Sequence, residues 1–454
     1  MSAEVTQGRR VALIDGESRL DLVVPLHARV DDVLRAAGAA MQPGARVVGI
    51  AGREVPRPTA MSALEDGVVL VVVDPSIVPP GEEGRAAIAR AATRTSAAWA
   101  VLAAGGGILA LIRGLGGDAL PAQVRGVVGA VALVGALLAA IAVGLRARER
   151  TATLAPVVGV VALAFGGGTA LVPDLPASTT LVAVFTGLLA SAVVGGVLGV
   201  VGLTDALRAQ SRTAAIVAAV LAAIWGAALL LHLDPSAPAA VTLGLVPVAQ
   251  RVLQSSLVDV APGTFVDYDR FQSTRWTVRQ ALPDEVRTIE ADDADALVAR
   301  STARLTVGTV LLVAAGSASA FAAIPSFAGD GPVVLGGRIA LASTVVLSVL
   351  LSSRRSTVPF LRWVARAGAF AVLAAAVTAL LPVFTPDLLV LVAGLLLLAG
   401  LGTALLVVPV GRGLRSLGWS RTGDVFEALA TALSLPAGLL AAGAIEIARA
   451  MMAT

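Results

Sequence analysis

The stretch VRGVVGAVALVGALLAAIAVGLRARER, residues 124–150, decides the fold class. From Gly126 to Leu145 it carries no charged side chain, and then Arg146, Arg148 and Arg150 follow within five positions. About 20 apolar residues at 1.5 Å per residue cross a hydrocarbon core ~30 Å thick. A run of that length ending in arginines is a membrane span with a basic loop behind it.

Working outward, eleven stretches of this kind lie near 95–113, 124–145, 153–172, 178–203, 213–233, 237–258, 304–324, 332–352, 362–382, 387–410 and 425–449. The composition agrees. The 454 residues are 57% hydrophobic and 14% charged, with mean hydropathy +0.86, whereas a soluble domain is ~45–50% apolar and ~25% charged.

The basic residues set the orientation. There is no lysine, so all 34 are arginine. With the N-terminus inside, the cytoplasmic loops carry Arg146, Arg148 and Arg150; Arg208 and Arg212; Arg354, Arg355 and Arg362; and Arg412, Arg415 and Arg421. The opposite loops hold Asp118, Asp174, Asp234, Asp330 and Asp387. Only Arg113, Arg125, Arg338 and Arg449 fall outside, at helix ends where they are expected to snorkel. This is the positive-inside pattern. It predicts a plasma (inner) membrane protein with a cytoplasmic N-terminus and, after an odd number of spans, an external C-terminus. A nucleic-acid partner is excluded, because the arginines are spread over short loops and do not cluster on one soluble face.

Before the first span, residues 9–75 read as a small domain of about 65 residues, near the lower limit for folding unaided. Arg10–Ile14 and Leu20–Pro25 are strands joined by the turn signal Asp15-Gly16-Glu17-Ser18. Val30–Ala40 has apolar residues at Val30, Val33, Leu34 and Ala37, one helical face, with Asp31 and Asp32 in the first turn. Strands Arg46–Ile50 and Val68–Val73 follow, with a short one at Arg53–Val55; the β-branched run after Asp66-Gly67 suits a central strand. This is the β-grasp order. The fold class is therefore an all-α polytopic membrane bundle of about 11 transmembrane helices with an N-terminal α+β ubiquitin-like (β-grasp) domain. The divisions are 1–75 for that domain, 76–94 for a basic linker helix, and 95–454 for the transmembrane domain. Because the first apolar run begins near Thr95, no cleavable signal peptide is expected.

One connection, 259–303, is long and expected on the cytoplasmic side. It contains Phe265, Tyr268, Phe271 and Trp276, a helix opening at Pro283, and an acidic patch at Glu290, Asp292, Asp293 and Asp295. The aromatics favour an ordered contact surface.

Catalytic chemistry finds little to work with. The absence of cysteine excludes thiolate nucleophiles, and the absence of lysine excludes a phosphate-binding P-loop. The two histidines, His27 and His232, fall in different compartments, and His232 reads as an interfacial polar residue. No catalytic, cofactor-binding or metal site is predicted. The triplets Gly105–Gly107 and Gly166–Gly168 lie inside apolar helices and serve close packing. Gly187, Ser191, Gly195 and Gly199 recur every four residues on the fourth span, a small-residue face for packing within the bundle or for a subunit interface. Carboxylates are missing from the interior of the first ten stretches. In the eleventh, Glu427 lies near the inner end and Glu446 near the outer end, where it is expected to form an interfacial ion pair with Arg449 or Arg338. The competing readings are a secondary transporter or permease with a regulatory β-grasp domain, broken helices at Pro247 and Pro436 being its signature, and a membrane enzyme built on Glu427 or Asp424.

The β-grasp domain, basic linker helix, eleven spans and long connection after the sixth together resemble the EccD family, integral membrane subunits of the type VII (ESX) secretion system. The most similar segment is Leu64-Glu65-Asp66-Gly67-Val68-Val69-Leu70-Val71-Val72, which looks like the final turn and strand of that family's ubiquitin-like domain. The third strand lacks a tryptophan, and the domain is short. The resemblance implies a non-catalytic scaffold or channel component that pairs as a homodimer and assembles with EccC-type ATPase, EccB-type and EccE-type subunits. It further implies that the ubiquitin-like domain docks the ATPase. Nothing near Val73-Asp74-Pro75 resembles a conjugation tail.

Overall fold

The hairpin closes where the turn signal sits: β1 (Gly8–Asp15) and β2 (Ser18–Pro25) pair antiparallel with Asp15 opposite Ser18. The computed structural model describes residues 8–15, 18–38, 46–49, 54–73, 82–114, 121–146, 154–175, 178–257, 291–327, 331–356, 358–382, scattered positions between 385 and 401, and 417–452. These form two units, Met1–Arg94 and Thr95–Thr454.

In the first unit, β3 (Arg46–Gly49) and β4 (Val68–Val73) complete a mixed sheet in the order β2-β1-β4-β3. The β1–β4 pair is parallel, so the last strand is central, as its β-branched run predicted. Asp66 and Gly67 fix that entry. The Asp66 Oδ1 accepts the Arg10 N–H at 2.9 Å, and the Gly67 N–H donates to the Arg10 carbonyl at 2.9 Å. The helix α1 is Val30–Ala36, shorter than the expected 30–40. It stops because Gly38 takes a left-handed φ of +68°, a conformation a glycine adopts without cost. At its start Asp32 accepts the Arg29 N–H at 3.1 Å. The expected strand at Arg53–Val55 is a single bridge, Val48 to Glu54. Val30, Val33 and Leu34 of α1 pack on Val11, Leu13, Val47 and Leu70 of the sheet. Leu13, Leu34, Met61 and Leu70 are fully buried, and each such side chain contributes about 1.5–3 kcal/mol.

From Glu82 onward the described chain is helical, and the second unit begins at Thr95, within the first of these helices. The linker helix and first span, read as separate elements, are one helix, α2 (Glu82–Gly114). Then follow α3 (Ala122–Arg146), α4 (Leu154–Leu171), α5 (Thr179–Val201), α6 (Asp205–Leu230), α7 (Ser236–Ser255) and α8 (Ala291–Ala323). The chain continues through α9 (Pro332–Ser352), α10 (Pro359–Leu380), α11 (Leu417–Ala441) and a short α12 (Ala444–Met452). Among the described residues ten helices, α2 to α11, are long and apolar enough to cross a membrane. The stretch expected at 387–410 lies largely outside the described residues, as do Phe265, Tyr268, Phe271, Trp276 and Pro283 of the long connection.

Two boundaries differ from expectation. Helix α8 takes in Asp292, Asp293 and Asp295, so these residues of the acidic patch are helical and the connection ends earlier than 303, while Glu290 lies outside the described residues. At 33 residues each, α2 and α8 are about 50 Å long, some 20 Å more than the hydrocarbon core needs. The stretch expected at 425–449 is two helices, because Gly443 adopts φ +73° between α11 and α12. By contrast Pro247 and Pro436 do not break their helices, which run through both.

One core lies among α3, α4, α5, α6 and Val307 of α8, and a larger one joins α5 to α11. Both are built mainly of alanine, valine and leucine. Lipid gives apolar side chains no reason to leave it, so such helices associate by close packing. The long apolar side chains are turned outward; Val127, Val131, Val134 and Leu138 of α3 are all more than half exposed.

Candidate functional site

Consecutive residues on a helix point about 100° apart, so three glycines in a row open three directions. Helix α4 uses all three. A Cβ on Gly166 would overlap the Gly106 carbonyl of α2; one on Gly167 would stand 2.9 Å from the Gly129 oxygen of α3; one on Gly168 would stand 2.9 Å from the Gly187 Cα of α5. The two triplets meet through their Gly106–Gly166 pair alone, with Gly106 also seated on the backbone at Ala162. Helix α4 is thereby the hub of the first four spans.

The small-residue face of α5 lies inside the chain. Gly187, Ser191, Gly195 and Gly199 are all buried. Gly187 lies against Phe165 of α4, and the Ser191 Oγ donates to the Val161 carbonyl at 3.0 Å. Further along, Gly195 meets Ala215 and Gly199 meets Arg212, both on α6. The four residues therefore pack two neighbouring helices, α4 at one end and α6 at the other. In the second half Gly244 of α7 and Gly438 of α11 cross just as tightly, a Cβ on Gly438 standing 2.7 Å from the Ala240 oxygen.

Two arginine–carboxylate clusters tie helix ends together. In the first, Asp174, from the turn between α4 and α5, accepts from Arg113 of α2 and, at 2.8 Å, from Arg125 of α3. The Arg113 Nη2 also donates to the Pro173 carbonyl at 2.9 Å. Both arginines were expected to snorkel into water. Their side chains are instead 4% and 3% exposed, because one carboxylate from the neighbouring turn reaches both. The guanidiniums of Arg125 and then Arg113 hold the Asp174 carboxyl below its ordinary value near 3.8.

The second cluster gathers at the ends of α7, α9 and α11. Glu427, with its side chain 6% exposed, lies 3.4 Å from the Arg355 Nε and 3.9 Å from both Arg354 and Arg251. Asp424, one turn earlier, sits 3.0 Å from Arg355 and 3.5 Å from Arg354. Gly423 leaves the space that the Arg354 guanidinium fills. Among the described residues the cluster's three guanidiniums and two carboxylates give it net charge +1. Among the described residues no three His, Asp or Glu side chains converge as a metal site.

Glu446 and Arg449 lie in the first and last turns of α12, each favourably placed on the helix dipole. Arg338 is buried on α9 and donates to the Ser326 carbonyl at 2.6 Å. His27 and His232 are both exposed, His232 at φ +52° just beyond α6. On the β-grasp unit, Arg29, Asp31, Asp32, Arg35 and Arg57 surround a shallow open depression. The two clusters were not read from sequence. The signal that could have found them is an arginine pressed against a span end opposite a loop aspartate, but pairing Asp174 with residues 49 and 61 positions away needs the helix arrangement.

No family model matches the chain, and no curated protein matches it. Among solved structures the chain is similar to one from the structure of protomer 1 of the ESX-3 core complex, with 18% identity, TM-score 0.49, and 97% of this chain and 100% of that one covered. It is also similar to a chain of the MycP5-free ESX-5 inner membrane complex in State II, with 15% identity, TM-score 0.46, and 88% and 99% covered.

Proposed function

We propose that the chain is a non-catalytic scaffold and channel component of a type VII protein secretion complex, its ubiquitin-like domain docking a partner ATPase of the EccC type. The observation that carries this reading is one combination: a β-grasp unit at the head of a multi-span bundle whose described helices hold carboxylates only towards their ends. A coupled transporter places such groups near mid-bilayer, where they are costly and purposeful. Here the buried charges staple helix ends. The first and seventh spans, α2 and α8, overshoot the hydrocarbon on their N-terminal sides, where Glu82, Glu83, Asp292 and Asp293 lie. Odd-numbered spans start on the same face, so both overhangs belong to the side that also carries the arginine-rich loops, the cytoplasmic side.

The β-grasp sheet supplies a docking edge. Strand β2 is an outer strand, and its Val23 and Leu20 are 74% and 39% exposed. An open edge bearing apolar side chains suits addition of a partner strand or loop. EccB-type and EccE-type subunits and a second copy of the chain complete the proposed assembly. In mild detergent the tagged full chain is expected to bring down an EccC-type ATPase, and Val23→Glu to weaken that capture without dispersing the membrane bundle. Recovery of a stable lone monomer from cells that express the whole system overturns the proposal.

A further inference from the structure

Helix α10 carries a charge where lipid should be. Arg366 is exposed, about 10 Å along the helix from Pro359, and its guanidinium carbon lies 5.3 Å from the centroid of the Trp363 ring. Trp363, Phe370, Leu373, Val377 and Leu381 are 43–67% exposed. At 100° per residue these five and Arg366 fall within about 80° of one another, a single stripe down α10. One turn above Arg366, Arg362 donates through Nε to the Ser356 carbonyl at 2.6 Å. That bond sets it beside the loop of Arg354 and Arg355. At this end the guanidiniums of Arg251, Arg354 and Arg355 face the two carboxylates Asp424 and Glu427, and Arg362 and Arg366 add two further positive charges on α10. Among the described residues neither Arg362 nor Arg366 has a carboxylate partner.

We infer that this face of α10 is a binding site for an anionic phospholipid. Its headgroup phosphate is held between Arg366 and Arg362, and one acyl chain lies along Phe370, Leu373 and Val377. The charge balance selects the ligand. A zwitterionic headgroup would bring its own cation into a site already in excess of positive charge, whereas a phosphate with no compensating amine neutralises it. The Trp363 ring fixes the depth, since indoles settle at the headgroup level, and its face screens the Arg366 charge from the hydrocarbon. Arg366 reaches the phosphate by extending its stem back toward the helix start. The site needs only that α10 crosses a membrane, so it stands or falls independently of the secretion role.

The full chain, reconstituted into vesicles, provides the test through tryptophan fluorescence. Brominated phosphatidylglycerol and brominated phosphatidylcholine are compared as quenchers. Subtracting the signal of Trp363→Phe isolates Trp363 from the other four tryptophans. Phosphatidylglycerol is expected to half-quench Trp363 at a mole fraction lower by about fivefold per arginine engaged. Arg366→Gln should remove most of that preference, and Arg362→Gln with Arg366→Gln all of it, with each variant remaining monodisperse. Millimolar inorganic phosphate should leave the preference intact. Equal quenching by the two lipids overturns the assignment. So does relief by free phosphate, which would point to a soluble anion, or protection of Trp363 from both lipids, which would mean that protein covers the stripe.

Discussion

Replacing Gly106 by alanine puts a methyl group into the backbone at Ala162 of α4, the closest crossing in the first half of the bundle. The obstacle is a carbonyl, not the free end of a side chain, so no rotamer change relieves it. The two helices must separate, and a gap of even ~0.5–1 Å forfeits a quarter to a half of the dispersion attraction along the contact. The expected cost is about 2 kcal/mol, the middle of the range for overpacking. That should appear as an apparent melting midpoint lower by roughly 2–4 °C for the protein in mild detergent. The flanking positions make the prediction sharp. A Cβ on Gly105 or Gly107 meets nothing within 4 Å, so alanine there should leave the midpoint unchanged or raise it slightly through helix propensity. In the second triplet Gly166, Gly167 and Gly168 all face backbone on three different helices, and alanine at each should destabilise. Equal effects across Gly105, Gly106 and Gly107, or a silent Gly106→Ala, would refute the crossing.

Other outcomes follow from the same geometry. Glu427→Ala leaves Asp424 to Arg354 and Arg355 and takes from Arg251 its Glu427 contact; because the three guanidiniums are 41–59% exposed and can turn to water, the loss should be about 1–2 kcal/mol and not the 3–5 of a fully buried pair. Ion-coupled uptake in proteoliposomes that this substitution abolishes would favour the transporter reading. The Asp174 carboxyl is held below its ordinary value near 3.8 in the folded state, so its contribution is complete above that value and lost only as pH falls through the lower folded one. The melting midpoint gap between wild type and Asp174→Asn should therefore stay level from pH 8 to 5 and close only in stronger acid. Leu70→Ala, at a fully buried position in a small core, should cost about 2–5 kcal/mol and unfold the β-grasp unit; ATPase capture should vanish while the bundle stays monodisperse. Reporter tags on the two termini should appear in opposite compartments, and their appearance together would overturn the topology.

Much of the architecture was legible one residue at a time. Runs such as Gly126–Leu145 commit to the bilayer because length and apolarity suffice. The strand Val68–Val73 and its Asp66-Gly67 entry read correctly because β-branching and turn chemistry are local properties. Some ends were misplaced. Asp292, Asp293 and Asp295 fell within the connection expected at 259–303, yet polar residues extend a helix once it has left the membrane. The break at Gly443 was hidden because an apolar run does not reveal where a glycine turns left-handed.

The chain alone thus determined how many apolar segments there are to bury, which ends carry arginine, and that a β-grasp unit precedes them. Tertiary structure alone decided which glycine meets which helix, that Asp174 holds two distant arginines out of water, and that Glu427 sits under three guanidiniums. The division has a physical cause. Partition into lipid and strand propensity depend on a residue and its near neighbours, whereas a backbone crossing or a buried ion pair depends on where a second helix lies, and in a membrane that is set by shape.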